Sequence, residues 1–355
     1  MNKLIAFMAL VFMVTACSDT APEVKIQWTE VTELPQAISN NAVAAATVDG
    51  DQFLYTFMGL QRGKSFRDVS SYAASYNVSS EVWKQIPSVP DSVGRLASTA
   101  EYVNGYIYIF GGYTVAEDGS EKSTPEVWKF DPNTNAYEQV DDMLVSVDDA
   151  VSLVYNDRYI YLVSGWNDTN SVSNVQVYDT VDDAWETATP YPGPAVFGHS
   201  GGIVGNTMIL SDGVELQQEG DERSFIMSAG SVKGVINPED PTDITWNRIQ
   251  QHPGAARYRM AAVGIESPAP MVVFMGGTDN PYNYNGIGYN SRPSSPLAGV
   301  FGYNINSGEW VELGEMPSPV MDLRGVAKTG DAYYLIGGMD AEQRVSNKVQ
   351  KFTLQ

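Results

Sequence analysis

The 355-residue chain carries 43 acidic and 21 basic residues, a formal net charge of −22. That balance excludes a nucleic-acid partner, because holding a polyanion requires a basic surface. A single cysteine, Cys17, excludes a disulfide framework, so the fold has to stand on its core.

The chain opens on a leader. Lys3 is followed by an apolar run, Leu4 to Met13, too short to span a bilayer, and then by "VTAC". This resembles a bacterial lipobox, which implies cleavage before Cys17 and lipidation of Cys17, with residues 1–16 a signal peptide and 17–24 a tether. The expected localisation is the bacterial cell envelope, lipid-anchored. Ser18, by resemblance to enterobacterial sorting, favours the outer membrane, facing periplasm or surface.

From residue 25 onward the chain repeats. "KIQWTEVTELP" supplies one strand around Trp28, and six similar runs follow: "FLYTFMGL", "NGYIYIFGGY", "YIYLVSGW", "TMILSDG", "MVVFMGGT" and "AYYLIGGM". In "NGYIYIFGGY" the apolar residues do not alternate with polar ones, as expected of a strand covered on both faces. Three of the six runs end in diglycine, and Met58-Gly59, Ser164-Gly165 and Asp212-Gly213 replace it in the other three. A third strand and then an outer strand with an aromatic residue come next, at Trp83, Tyr137, Trp185, Trp246 and Trp310. The last unit, "NKVQKFTLQ", stops one strand short, and the segment around Trp28 has the spacing of the missing one. The prediction is an all-β domain over residues 25–355, its ring closed by the N-terminal strand completing the C-terminal blade.

A diglycine after the second strand, with Tyr and Trp beyond it, resembles the kelch repeat, and six such units imply a six-bladed kelch-type β-propeller. Strand parity places the start of each inner strand and the loop after each diglycine on one face, where a site is expected. Asn41, Arg95, Asp148, Asp149, His199, Arg257, Tyr258, Arg259 and Arg324 gather at its channel mouth. Arg95 and Arg257 match an arginine common at this place in kelch units, and His199 and Arg324 align three residues further in. Arginine forks suit carboxylates, so an anionic small molecule such as a sugar acid fits this mouth, with His199 as general acid or base. A second reading has the arginines pairing with Asp148, Asp149 or Asp322, or capping carbonyls between blades, and His199 as a hydrogen-bonding strut.

His252, in "QQHPGAARY", reads as an exposed loop residue. Two histidines cannot make a zinc or copper site without several carboxylates or waters, and no metal or cofactor is expected. Function should be sought in the loops after the diglycines, "YTVAEDGSEKSTP" in the second unit and "TDNPYNYNGIGYNSRPSSPLAG" in the fifth. The second of these brings Tyr284, Tyr289 and Arg292 and is long enough to form a lid.

The function expected is a membrane-anchored propeller that binds a glycan, an anionic sugar or a protein through its loop face. The architecture also resembles the periplasmic sialic acid mutarotase/epimerase family in size, export, six kelch units and a Tyr/Asn-rich insertion in the fifth. That resemblance implies an alternative, a sugar-acid isomerase in which Arg95, Arg257 and Arg324 hold a carboxylate and His199 moves a ring proton. A polysaccharide lyase using His199 and Tyr258 is a lesser alternative. The copper chemistry of galactose oxidase is set aside, because the mature chain has no spare cysteine to link to a tyrosine.

Overall fold

The structure is a computed structural model that describes residues 24–220 and 222–355. The leader, Cys17 and all but the last residue of the tether lie outside the described residues. Six four-stranded antiparallel sheets are formed, each taking its strands from inside to outside in chain order except the last. Blade 1 runs from the inner strand Ala42–Val48 through Asp51–Leu60 and Val69–Asn77 to Val82–Gln85. The inner strands of blades 2 to 6 are Thr99–Val103, Val151–Tyr155, Ser200–Val204, Ala261–Ile265 and Ala327–Thr329.

The sixth blade draws its outer strand, Ile26–Glu30, from the other end of the chain, pairing Ile26 with Leu354 and Trp28 with Phe352. This closure leaves no open blade at the seam. The outer aromatics bind blade to blade. Trp83, Trp185, Trp246 and Trp310 donate their indole N–H groups to the carbonyls of Thr32, Asp141, Thr189 and Gln250, and the Tyr137 hydroxyl donates to Pro87 O. In every case the acceptor lies just beyond the preceding blade's outer strand, so the repeated aromatic is an inter-blade clamp.

The channel mouth is a second inter-blade device. Just before each inner strand one residue adopts a left-handed backbone: Asn40, Ala97, Asp149, Gly198, Arg259 and Asp322, with φ from 50 to 65°. That bend turns the peptide groups sideways, and they form a collar around the axis. Asn40 N–H donates to Asp322 O, Ala97 to Asn40, Asp149 to Ala97, Gly198 to Asp149 and Arg259 to Gly198, at 2.8 to 3.4 Å, and Leu323 N–H closes the circle onto Arg259 O at 3.5 Å.

The diglycine serves the same purpose. Its second residue donates to the following blade, Gly59 to Arg95 O and Gly112 to Val147 O among them. A Cβ on Gly112 would lie 2.6 Å from Leu96 O, and one on Gly338 2.7 Å from Met321 O, so this position admits only glycine. The first position is less strict, and Met58, Ser164 and Asp212 occupy it with φ of 57, 56 and 66°. These departures carry work of their own. Ser164 Oγ donates to Val172 O and, across to the next blade, is placed 2.8 Å from Val196 O.

Candidate functional site

Three β-hairpins and one long loop stand on the collar face. The hairpins pair Tyr113–Val115 with Glu121–Ser123, Trp166–Asn167 with Asn170–Ser171, and Val214–Glu219 with Glu222–Met227, in blades 2, 3 and 4. The blade-5 loop completes the circle. Lys64 of blade 1 donates to the carbonyls of Asn285 and Gln343, and Gln343 Nε2 donates to Ser294 O, so this loop is tied to blades 1 and 6. At its other side Tyr289 stacks on Phe225 of the blade-4 hairpin with ring centroids 4.2 Å apart.

Under this canopy the mouth is closed by an ionic plug. Arg259, 2% exposed, reaches across the axis and donates from Nε and Nη2 to Asp149 (2.9 and 2.6 Å) and from Nη1 to Asp322 (2.9 Å). Arg324 pairs with the same Asp149, and the Tyr282 hydroxyl donates to Asp322 Oδ1. Two cations face two carboxylates, which is the balance a dry site requires. Gly198 makes room for the arrangement, since a Cβ there would collide with the Tyr258 ring.

The plug separates two cavities. Below it, a channel of about 420 Å³ is walled by small inner-strand residues such as Ala45, Ala100, Gly202 and Gly264, with Glu101 and Lys328 further along. Above it, a pocket of about 280 Å³ is lined by Tyr113, Trp166, Phe197, Phe225, Tyr284 and Tyr289 together with Glu121, Asp148, Asp149, Asp168, Asn283 and Arg259. Ser123 organises its acidic wall. Its hydroxyl donates to Asp148 Oδ2 (2.6 Å) and its N–H to Asp168 Oδ1 (2.7 Å).

Protonation divides these carboxyls. Burial, then the neighbouring Asp149 charge, pushes Asp148 well above the usual carboxylate range, with Ser123 and Arg259 offsetting only part. Asp149 loses solvation too, but Arg259 and Arg324 hold it below its ordinary value. Glu121 keeps solvent contact at the rim, yet the loss of solvation around it, offset in part by Arg259, raises its carboxyl to about 7. The pocket thus holds two neighbouring carboxyls pushed in opposite directions, Asp148 up and Asp149 down, and a third, Glu121, raised to about 7. Such divergence within a pair is what acid–base chemistry uses.

The residues expected at the mouth fall into separate places. Arg95 donates to Gly111 O and Glu126 O and pairs with Asp91, and Arg257 donates to Gly276 O and Gly299 O, each within its own blade. Arg259 and Arg324 form the plug, and only Arg259 reaches the pocket wall. Tyr258 is fully buried between Phe197 and Tyr282. Tyr284 and Tyr289 line the pocket, whereas Arg292 is exposed and outside it. Arg324 sits four residues beyond its arginine-equivalent, Val320, so its alignment with His199 shifts by one.

His199 is 3% exposed and packs near Tyr191, with ring centroids 5.9 Å apart. Burial, reinforced by Arg324, lowers its pKa to about 3, so it is neutral at ordinary pH. His252 is not an exposed loop residue: it is 3% exposed, stacked on Phe301 at 4.1 Å. Its Nε2 lies 2.6 Å from Asp212 Oδ2, which also accepts from Arg257 N–H. Asp212 holds the first diglycine place of its blade, and its carboxylate is what draws His252 in. Among the pocket residues, Trp166, Asp168 and Phe225 were not singled out in the sequence. For Trp166 and Asp168 the signal was position just after the strand that ends in the glycine, whereas Phe225 lies in the second strand of the blade-4 hairpin.

Collar, diglycine contacts and outer clamps recur blade by blade and define a kelch propeller. The model of the KLHDC2/KLHL20/DRC7 kelch-repeats domain matches residues 19–213, and the chain belongs to the kelch-repeat family. Kelch-like protein 15 from Gallus gallus is 29% identical over 131 residues, 37% of this chain and 25% of that protein. The human protein of the same name is 28% identical over 20% of its length, so this chain matches only a fifth to a quarter of these relatives. N-acetylneuraminate epimerase from Salmonella typhimurium is 22% identical over 100% of this chain and 96% of its own. The solved structure of YjhT superposes with a TM-score of 0.71 at 16% identity, covering 92% of this chain and 99% of that one, a likeness of fold.

Proposed function

We propose that the protein is a sugar isomerase of the ring-opening type, acting in the loop-face pocket. The observation that carries this reading is the placement of Glu121 and Asp148 in one cavity with six aromatic side chains. Aromatic faces such as Trp166 and Tyr289 stack on sugar rings, and carboxyl groups bind hydroxyls and move protons. The full-length similarity to an N-acetylneuraminate epimerase supports a sugar-directed role.

The chemistry is a balanced proton exchange. Glu121 as carboxylate takes the proton of the anomeric hydroxyl while Asp148 as acid gives its proton to the ring oxygen. The C–O ring bond breaks and its electron pair stays on that oxygen as a hydroxyl, while the anomeric carbon becomes a carbonyl. Rotation and reversal of both transfers close the ring with either configuration.

Exchange spectroscopy by NMR on a reducing sugar tests this. Catalysed anomer exchange should rise with pH through about 7 as Glu121 ionises. In Glu121→Gln that limb should vanish and the rate should fall by about a hundredfold. Saturable binding with no exchange above background would leave a sugar-binding propeller and defeat the catalytic reading. We also propose the envelope location, supported by "VTAC": Cys17→Ser should move the protein from the membrane to the soluble fraction, and an unchanged distribution would contradict it.

A further inference from the structure

Resting on that reading of the pocket, we infer that its substrate is a neutral or amino pyranose and not a sugar acid. Among the described residues, one arginine and four carboxyls line the pocket. Three of Arg259's five donors are already directed at Asp149 and Asp322 and the residue is 2% exposed, so little of its fork is left for a ligand. Arg324 is likewise committed to Asp149. An arriving carboxylate would therefore meet no free guanidinium on the wall, and would instead come beside Glu121 and Asp168, which repel it.

The surroundings favour the other substituents. Asp168, held by the Ser123 N–H, and Glu121 present acceptors to hydroxyl or ammonium groups. Asn283 adds a neutral amide at the lid side. Arg223, which is exposed, lies 5.5 Å from the Trp166 ring centroid and donates to Thr169 O. It is spent on the rim and does not line the cavity. A net-negative wall of this kind also concentrates cations, so an ammonium-bearing sugar gains where a uronate loses.

Glucose and glucuronate differ only at C6, and glucosamine adds an ammonium group, so these three serve as probes in the same exchange measurement. The expected result is that kcat/KM for glucose or glucosamine exceeds that for glucuronate by at least about tenfold, a gap that narrows with added salt. Asp168→Asn should narrow it further by raising the rate on glucuronate. If glucuronate or N-acetylneuraminate is the faster substrate, the inference is overturned while the isomerase reading stands. If no sugar is exchanged, the isomerase reading itself falls and takes this inference with it.

Discussion

Replacing Arg259 with Met tests whether the arginines at the mouth are part of the architecture. The guanidinium makes three charge-assisted hydrogen bonds of 2.6 to 2.9 Å and lies 4.8 and 5.3 Å from the ring centroids of Tyr258 and Tyr282. Methionine keeps much of the apolar contact but leaves two buried carboxylates with one cation between them. Uncompensated buried charge of this kind costs about 3–5 kcal/mol, a large part of a domain's usual ~5–15 kcal/mol. The assay is urea unfolding of wild type and variant at several pH values. Asp149 is held below its ordinary pKa in the folded protein, so its contribution is present above about pH 4 and is lost as pH falls through the folded value. The deficit of the variant should shrink over that acid range, and Asp322→Asn in the Arg259→Met background should recover part of it at neutral pH. A deficit under about 1 kcal/mol, independent of pH, would refute the plug and make Arg259 available to a ligand.

His199 should give the wild type an acid-side slope of its own. Its pKa is lowered to about 3, so between about 6.5 and 3 the unfolded chain binds a proton that the fold refuses, costing up to about 1.4 kcal/mol per pH unit. His199→Leu should flatten that slope in thermal unfolding between pH 7 and 4, and an unchanged slope would show that the imidazole is charged in the fold. Gly112→Ala should cost roughly 2–3 kcal/mol, since φ is 87° and the new methyl meets Leu96 O; a variant as stable as wild type would contradict the close approach of that carbonyl. Tyr289→Ala should leave stability within about 0.5 kcal/mol, because the residue is 42% exposed, yet weaken sugar binding by about tenfold through the lost stack on Phe225. Equal affinity would remove the lid from the site.

The ring was legible because it is written as spacing. Trp28 matched the missing outer strand, and the Phe352 contact realises that match across more than three hundred residues of chain. The three imperfect diglycines were visible as exceptions, but what two of the replacements do was not: the Ser164 hydroxyl bonds to Val172 O and the Asp212 carboxylate to His252. The site was harder to read. Arginine at the mouth could be read as ligand chemistry or as pairing with Asp148, Asp149 or Asp322, because a sequence shows charge and not geometry; the pairing is what Arg259 and Arg324 make, with Asp149 and Asp322 from blades 3 and 6. His252 looked exposed because its loop is polar, although Asp212 in a glycine's place was the trace of its buried partner. The raised proton affinity of Glu121 comes from packing and the Asp149 charge, with Arg259 offsetting part, and no local motif encodes that.

The central claim is that chemistry occurs above the plug, in the loop-face pocket, and not in the channel below it. The direct measurement is the rate of NMR anomer exchange on one reducing sugar by wild type, Glu121→Gln and the channel variant Lys328→Ala. Lys328→Ala should keep the wild-type rate, and Glu121→Gln should lose about a hundredfold. Full activity in Glu121→Gln with loss in Lys328→Ala would contradict it and move the site to the channel.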